Sequence, residues 1–229
     1  MAKTFTLIIL CLLIFTVAAD AQSTGRKPRS KKPQAPAKAA PPKTVEAPKT
    51  VQSEPFEKAS VETMKGQCVK LETDAGIIEL EMLPEVAPET VRNFLNLIAV
   101  KAFDTTSFSR VVPGFIIQGG DLATREKLTP ELSKRSLRTI PDEPNSIKHV
   151  RGVVSMARSS IPNSTTTHFF ILLRESTNLD GSFAAFGRVI KGMEVVEEIN
   201  KMPVEGEKPI KPVRLTKAAV IPCAAITNP

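Results

Sequence analysis

Arg110 stands in the stretch Phe103–Asp121, FDTTSFSRVVPGFIIQGGD, among Phe108, Val111, Val112, Phe115, Ile116 and Ile117. A guanidinium offers five N–H donors and stays charged at any physiological pH, so it can stabilise a developing lone pair but cannot attack. Arginine rarely sits in so apolar a setting unless it is paired or meets a ligand. Gln118, with both a donor and an acceptor, closes the run before Gly119-Gly120. The plainer alternative is a surface arginine on an edge strand, and spacing alone does not separate the two.

Other reactive patterns are weaker. The histidines, His149 and His168, are accompanied by no cluster of cysteines, so neither a metal site nor a cofactor is expected. No serine lies in G-x-S-x-G, and no triad is visible. Asn163-Ser164-Thr165 is a formal glycosylation sequon, meaningful only in a eukaryotic secretory route.

The elements that must position Arg110 follow from periodicity. Period-2 spacing of Phe108, Arg110 and Val112 predicts a strand with the guanidinium on its largely apolar face. Pro113-Gly114 signals a turn, and Phe115–Gln118 a second strand. Strict alternation puts Phe115 and Gln118 on opposite faces, so their joint use requires a bulge or kink. Upstream, Val69–Met82 reads as strands about Asp74-Ala75-Gly76, and Ala87-Pro88 opens a helix with the stripe Val91, Phe94, Leu95 and Ile98. Downstream, Leu122–His149 reads as a long surface loop. Gly152–Ala157, His168–Leu173, Phe183–Ile190 and Lys211–Ile221 read as strands, and Met193–Ile199 as a helix.

The segment FSRVVPGFIIQGGD resembles the signature strand-turn-strand of the cyclophilins, the peptidyl-prolyl cis-trans isomerases. SMARSSIPNSTTTHFFI from Ser155 and NLDGSFAAFGRVIKGMEVVEEI from Asn178 resemble further family signatures in the same order, so the likeness runs from Cys68 to Ile221. It implies a mainly β fold, a closed eight-stranded antiparallel barrel capped by two helices, and agrees with the number of strands read above. It also implies roles. Arg110 takes the place of the catalytic arginine and Gln118 that of the site glutamine. Phe115, Met156, Phe170 and Leu179 fall where the family holds the proline ring, and Ala157 and Arg158 where backbone groups pair with the substrate. His168 replaces a usual glutamine, Asn178 a usual tryptophan and Phe183 a frequent histidine, and the lost indole argues against strong cyclosporin-type inhibition. A non-catalytic proline-peptide binding module or holdase would use the same groove.

Composition divides the chain. Met1–Ala21, with Lys3, an apolar run over Phe5–Val17 and Ala19-Asp20-Ala21, reads as a signal peptide too short to span a bilayer. Gln22–Thr50 carries eight Lys or Arg, one acid and six prolines, which equals the whole net charge of +7. This stretch cannot bury enough surface to order itself, so a disordered linker is expected over 22–66. It is either a solvated spacer or a patch for anionic envelope surfaces, with no specific nucleic acid expected. The isomerase domain is expected over 67–222, with a tail at 223–229. After export Cys68 and Cys223 remain; two thiols are the default, and a disulfide is the alternative, since the resemblance makes the terminal strands neighbours. The expectation is an exported monomer, periplasmic or secreted, with no transmembrane segment once mature, acting on proline-containing polypeptides.

Overall fold

In the computed structural model, which describes residues 54–227, the sheet starts with a hairpin. Gln67–Thr73 (β1) and Gly76–Met82 (β2) pair antiparallel. Val69, Leu71, Ile78, Leu80 and Met82 are buried, as period-2 alternation demands. Thr106–Ser107 (β3), Arg110–Val112 (β4) and Ile116–Gly119 (β5) follow, then Val153–Met156 (β6), Phe169–Leu172 (β7) and Ala185–Lys191 (β8). Val204–Glu205 (β9) and Lys208–Pro209 (β10) form a separate hairpin, and Arg214–Pro222 (β11) returns to the main sheet.

The nine-stranded order is β3-β11-β1-β2-β8-β6-β7-β5-β4, antiparallel throughout. The sheet curls around its core but stays open; it is not the expected closed eight-stranded barrel. Its edges, β3 and β4, are consecutive in the chain and joined by Phe108 and Ser109. The N–H groups of those residues turn opposite ways, Phe108 N to the Val213 carbonyl and Ser109 N to that of Gln118, both at 3.0 Å. Each edge is thereby bonded back to its own neighbour, and no ladder seals the gap.

The helices are Val61–Lys65 (α1), Pro88–Ala99 (α2), Pro130–Ser136 (α3), Met193–Asn200 (α4) and Ala224–Thr227 (α5). α2 buries the predicted stripe of Val91, Phe94, Leu95 and Ile98. Phe94 is its hub, with ring centroids 5.3, 5.2 and 4.8 Å from Phe103, Phe169 and Phe186. Ala87 cannot cap the first turn of α2, and the Glu143 carboxylate does so instead, accepting from Glu89 N (3.0 Å) and Thr90 N (2.7 Å). No helix among the described residues is long and apolar enough to cross a membrane.

Three expectations are corrected. The stretch Leu122–His149 is not all irregular: Leu122–Thr124 is a 3-10 turn, and α3 starts where Thr129 accepts from Leu132 N with Pro130 in the first turn. A proline at the first helical position starts a helix rather than breaking one. Residues 54–66 belong to the folded body rather than to the linker. Ser60 caps α1, Met64 is fully buried, and the Glu54 carboxylate bridges Arg135 and Arg138 at 2.5 Å each. Finally, Cys68 and Cys223 form a disulfide, S–S 2.11 Å, just before α5 opens the expected tail. The predicted leader, and the linker up to residue 53, lie outside the described residues.

Candidate functional site

Alternation gives the sheet two apolar faces. Ile117, Phe169, Ile171, Val154 and Met156 join the large core, while Ile116, Phe170, Leu172, Val153 and Ala185 form a smaller cluster with Phe115, Leu179 and Phe183 packed on it. Over that second face lies an open groove of about 360 Å³, lined by Arg110, Phe115, Ile116, Gln118, Ala157, Arg158, Phe170, Leu179 and Phe183.

Arg110 and Gln118 are cross-strand partners on β4 and β5. Arg110 Nη1 donates to Gln118 Oε1 (3.2 Å) and Nε to Glu207 Oε2 (2.6 Å), so two edges of the guanidinium are fixed. Its Nη2 makes no hydrogen bond with the described residues and is available to a ligand. The hydrogen bond and charge of Arg110 hold the Glu207 carboxyl below its usual range. Glu207 comes from the β9–β10 turn, whose carbonyl also accepts from Val111 N (2.8 Å).

The turn between β4 and β5 is held by Asn200 at the end of α4. Its Nδ2 donates to the Val112 (2.9 Å) and Ile116 (3.0 Å) carbonyls, and its Oδ1 accepts from Gly114 N (2.7 Å). Gly114 has φ +69° there, as a turn glycine should. Phe115 belongs to this turn and not to the strand, which is how it shares the groove with Gln118 without the bulge expected in the ladder. Phe108 is likewise off the strand and buried in the main core, so the face of Arg110 is shared with Val112 alone.

Of the residues expected at the site, Arg110, Gln118, Phe115, Ala157, Arg158, Phe170 and Leu179 are brought together. Met156 is not: it faces Phe169 across the ladder and lies in the main core, one residue out of phase with Phe170, whose partner is Ser155. His168 does not line the groove either; its backbone packs against Gly120, where a Cβ would stand 2.2 Å from the Thr167 carbonyl. Of the backbone groups expected to meet substrate at Ala157 and Arg158, the Ala157 N–H is taken by the His168 carbonyl at 2.9 Å. Ile116 and Phe183 line the groove unpredicted, and Ile116 was legible as the residue two before Gln118 on one strand face.

A serine, a histidine and an aspartate do align, contrary to expectation. Ser155 Oγ lies 2.9 Å from His149 Nε2, and His149 Nδ1 lies 3.2 Å from Asp180 Oδ1. An ionised carboxylate only accepts, so His149 Nδ1 carries a proton and donates to Asp180. Ser155 and His149 are 0% and 1% exposed, so no substrate reaches the hydroxyl. The chain of bonds instead ties β6 to the 176–180 turn that carries Leu179, since Asp180 also accepts from His149 N and the His149 carbonyl from Ser176 N. Asp180 is lowered from an ordinary 3.8 to about 2, first by the His149 N–H and then by Lys148. A carboxyl lowered on folding stabilises above its unfolded value and loses that contribution as pH falls through its folded one. Asp180→Asn should therefore lower the melting temperature at pH 6, with the deficit closing between about pH 4 and pH 2; a deficit constant over that range would remove Asp180 from the acid transition.

The model of the family described as "Cyclophilin type peptidyl-prolyl cis-trans isomerase/CLD" matches residues 68–220. The chain is a cyclophilin. Like others of the family, this cyclophilin is a peptidyl-prolyl cis-trans isomerase. It is 34% identical over 165 residues to "Peptidyl-prolyl cis-trans isomerase A" of Dickeya dadantii, covering 67% of this chain and 84% of the relative. An isomerase of Acinetobacter baylyi is 35% identical over 150 residues, with 63% and 77% covered. Among solved structures, a Cryptosporidium parvum cyclophilin crystallised in the presence of the dipeptide Ala-Pro superposes with a TM-score of 0.60 at 30% identity, covering 67% of this cyclophilin and 98% of that chain.

Proposed function

We propose that the groove holds the proline of an X-Pro segment against Phe115, Phe170 and Leu179 while Arg110 donates to the proline nitrogen as the amide twists. Conjugation sets a barrier of ~18–20 kcal/mol, and rotation removes it by localising a lone pair on that nitrogen. No bond forms or breaks, so neither nucleophile nor metal is called for. Four decades of acceleration need about 5.4 kcal/mol, and one charge-assisted hydrogen bond gives about 1.5–3. Desolvation and fixing of the flanking chain supply the remainder. The observation that carries this reading is the Arg110 guanidinium, fixed on two edges by Gln118 and Glu207 beside an apolar wall.

We place this activity after export, on other exported polypeptides. The leader-like pattern at 1–21 supports it, and so does the Cys68–Cys223 disulfide, which persists in oxidising compartments. One experiment tests both parts. Expressed from its full sequence in a bacterial host, the protein should leave the cytoplasm with Gln22 as its first residue and accelerate cis-trans exchange of an Ala-Pro peptide. An intact chain retained in the cytoplasm would remove the export reading. Peptide binding without acceleration would leave only a binding module.

The basic stretch 22–50 is proposed to draw the enzyme to anionic surfaces. Anionic vesicles should bind the mature chain more weakly as salt rises and lose it when residues 22–50 are deleted, with isomerase activity unchanged. Binding that ignores salt would rule this out.

A further inference from the structure

Two of the rings that line the groove carry an arginine stacked over them. The Arg174 guanidinium stands 5.1 Å from the Phe115 ring centre, and that of Arg158 5.2 Å from the Phe183 ring centre. Stacking on a ring holds a guanidinium in place without consuming its in-plane donors. Arg158 directs N–H groups to the Ser182 and Ser159 carbonyls, and Arg174 has no hydrogen bond or ion pair among the described residues. Neither is matched to a carboxylate; Glu175, next in the chain, makes no ion pair with Arg174.

The lining itself holds no acid. Arg110, the third cation, is already neutralised by Glu207 at 2.6 Å. Asp180, beside Leu179, is engaged by Lys148 and His149. Positive charge is thus left without a carboxylate partner beside two of the groove's rings, Phe183 and Phe115. It is a local feature, because the chain from Val51 onward is balanced at 22 bases and 22 acids.

We infer that this enzyme prefers X-Pro segments with acidic residues beside the X-Pro pair, recruited by Arg158 and Arg174. The inference rests on the groove being the substrate site. Glu207 has a part in it: by occupying Arg110 Nε, it discourages an incoming carboxylate from pairing with the cation needed at the proline nitrogen. Exposed pairs of this kind are weak and screened by salt, so the expected preference is roughly two- to fivefold per pair.

The test uses the mature chain and three Ala-Pro peptides that carry Glu, Gln or Lys immediately before the alanine and after the proline. Values of kcat/KM should rank Glu above Gln above Lys at low salt and converge in 0.5 M salt. In Arg174→Glu, whose site is exposed and outside the main core, the Glu-over-Gln ratio should fall to about one or below, with an unaltered melting temperature as the check on folding. Equal rates for the Glu and Gln peptides in the parent, or a ratio unmoved by Arg174→Glu, would overturn the inference while leaving the isomerase site standing. Failure to turn over any of the three peptides would remove the site and the inference together.

Discussion

Arg110→Ala is expected to lower kcat/KM on an Ala-Pro peptide by roughly 10- to 100-fold, the equivalent of one charge-assisted hydrogen bond made at the twisted amide. The loss should fall mainly on kcat, because the amide nitrogen is a poor acceptor while conjugated and becomes a good one only when rotated. Stability should hardly change. The Arg110 side chain is 42% exposed and its Glu207 partner 54%, and exposed pairs of this kind contribute about 0–1 kcal/mol. Measuring kcat and KM by exchange spectroscopy, with a melting curve as control, separates the outcomes. A mutant that keeps the parent's kcat would show that the guanidinium is not what lowers the barrier.

Loss of the Cys68–Cys223 disulfide, by replacing both cysteines with serine, is expected to cost about 2–4 kcal/mol of stability. The bridge closes a loop of 155 residues in the unfolded chain, near the large end of the entropic range. For a domain of this size the melting temperature should fall by about 5–15 °C. A reductant should lower the parent's melting temperature by a similar amount and leave that of the double serine variant where it is. If the parent does not respond to reductant, the bridge does not restrain the unfolded chain. The groove residues should be unaffected, since β1, which carries Cys68, does not neighbour β5 or β7 in the sheet.

Periodic features were legible in the sequence and non-periodic ones were not. The stripe Val91, Phe94, Leu95 and Ile98 and the apolar runs read as β1, β2, β7 and β8 are statements about one element each, so local sequence suffices. Arg110 and Gln118 were placed together by the resemblance to the cyclophilins, and the structure makes them cross-strand partners on either side of the turn. Met156, placed at the pocket by the resemblance, lies on the other face: a step of one residue along β6 exchanges the groove for the core, and the pairing of β6 with β7 shows which face it takes. Glu207 and Asn200 lie 97 and 86 residues from Arg110 and Gly114 in sequence. Each acts as a single polar group whose importance comes from what folds against it. The disulfide was hidden for a related reason. Cys68 sits opposite Ile221, and its true partner lies two residues beyond, past the end of β11, where the chain turns and brings the Cα atoms to 4.9 Å.

The position of β11 also sets the time at which the molecule can fold. It lies between β1 and β3, so the last long strand to be synthesised enters between the first and the third. Until residues 214–222 have been made, β1 has β2 as its one neighbour and β3 has none. Pairing at such separations is slow because its entropy is lost before its contacts form. A nascent chain of this topology stays open while it is being made. On the export route proposed above it would reach the far side of the membrane unfolded and close its sheet there, where an oxidising environment can join Cys68 to Cys223.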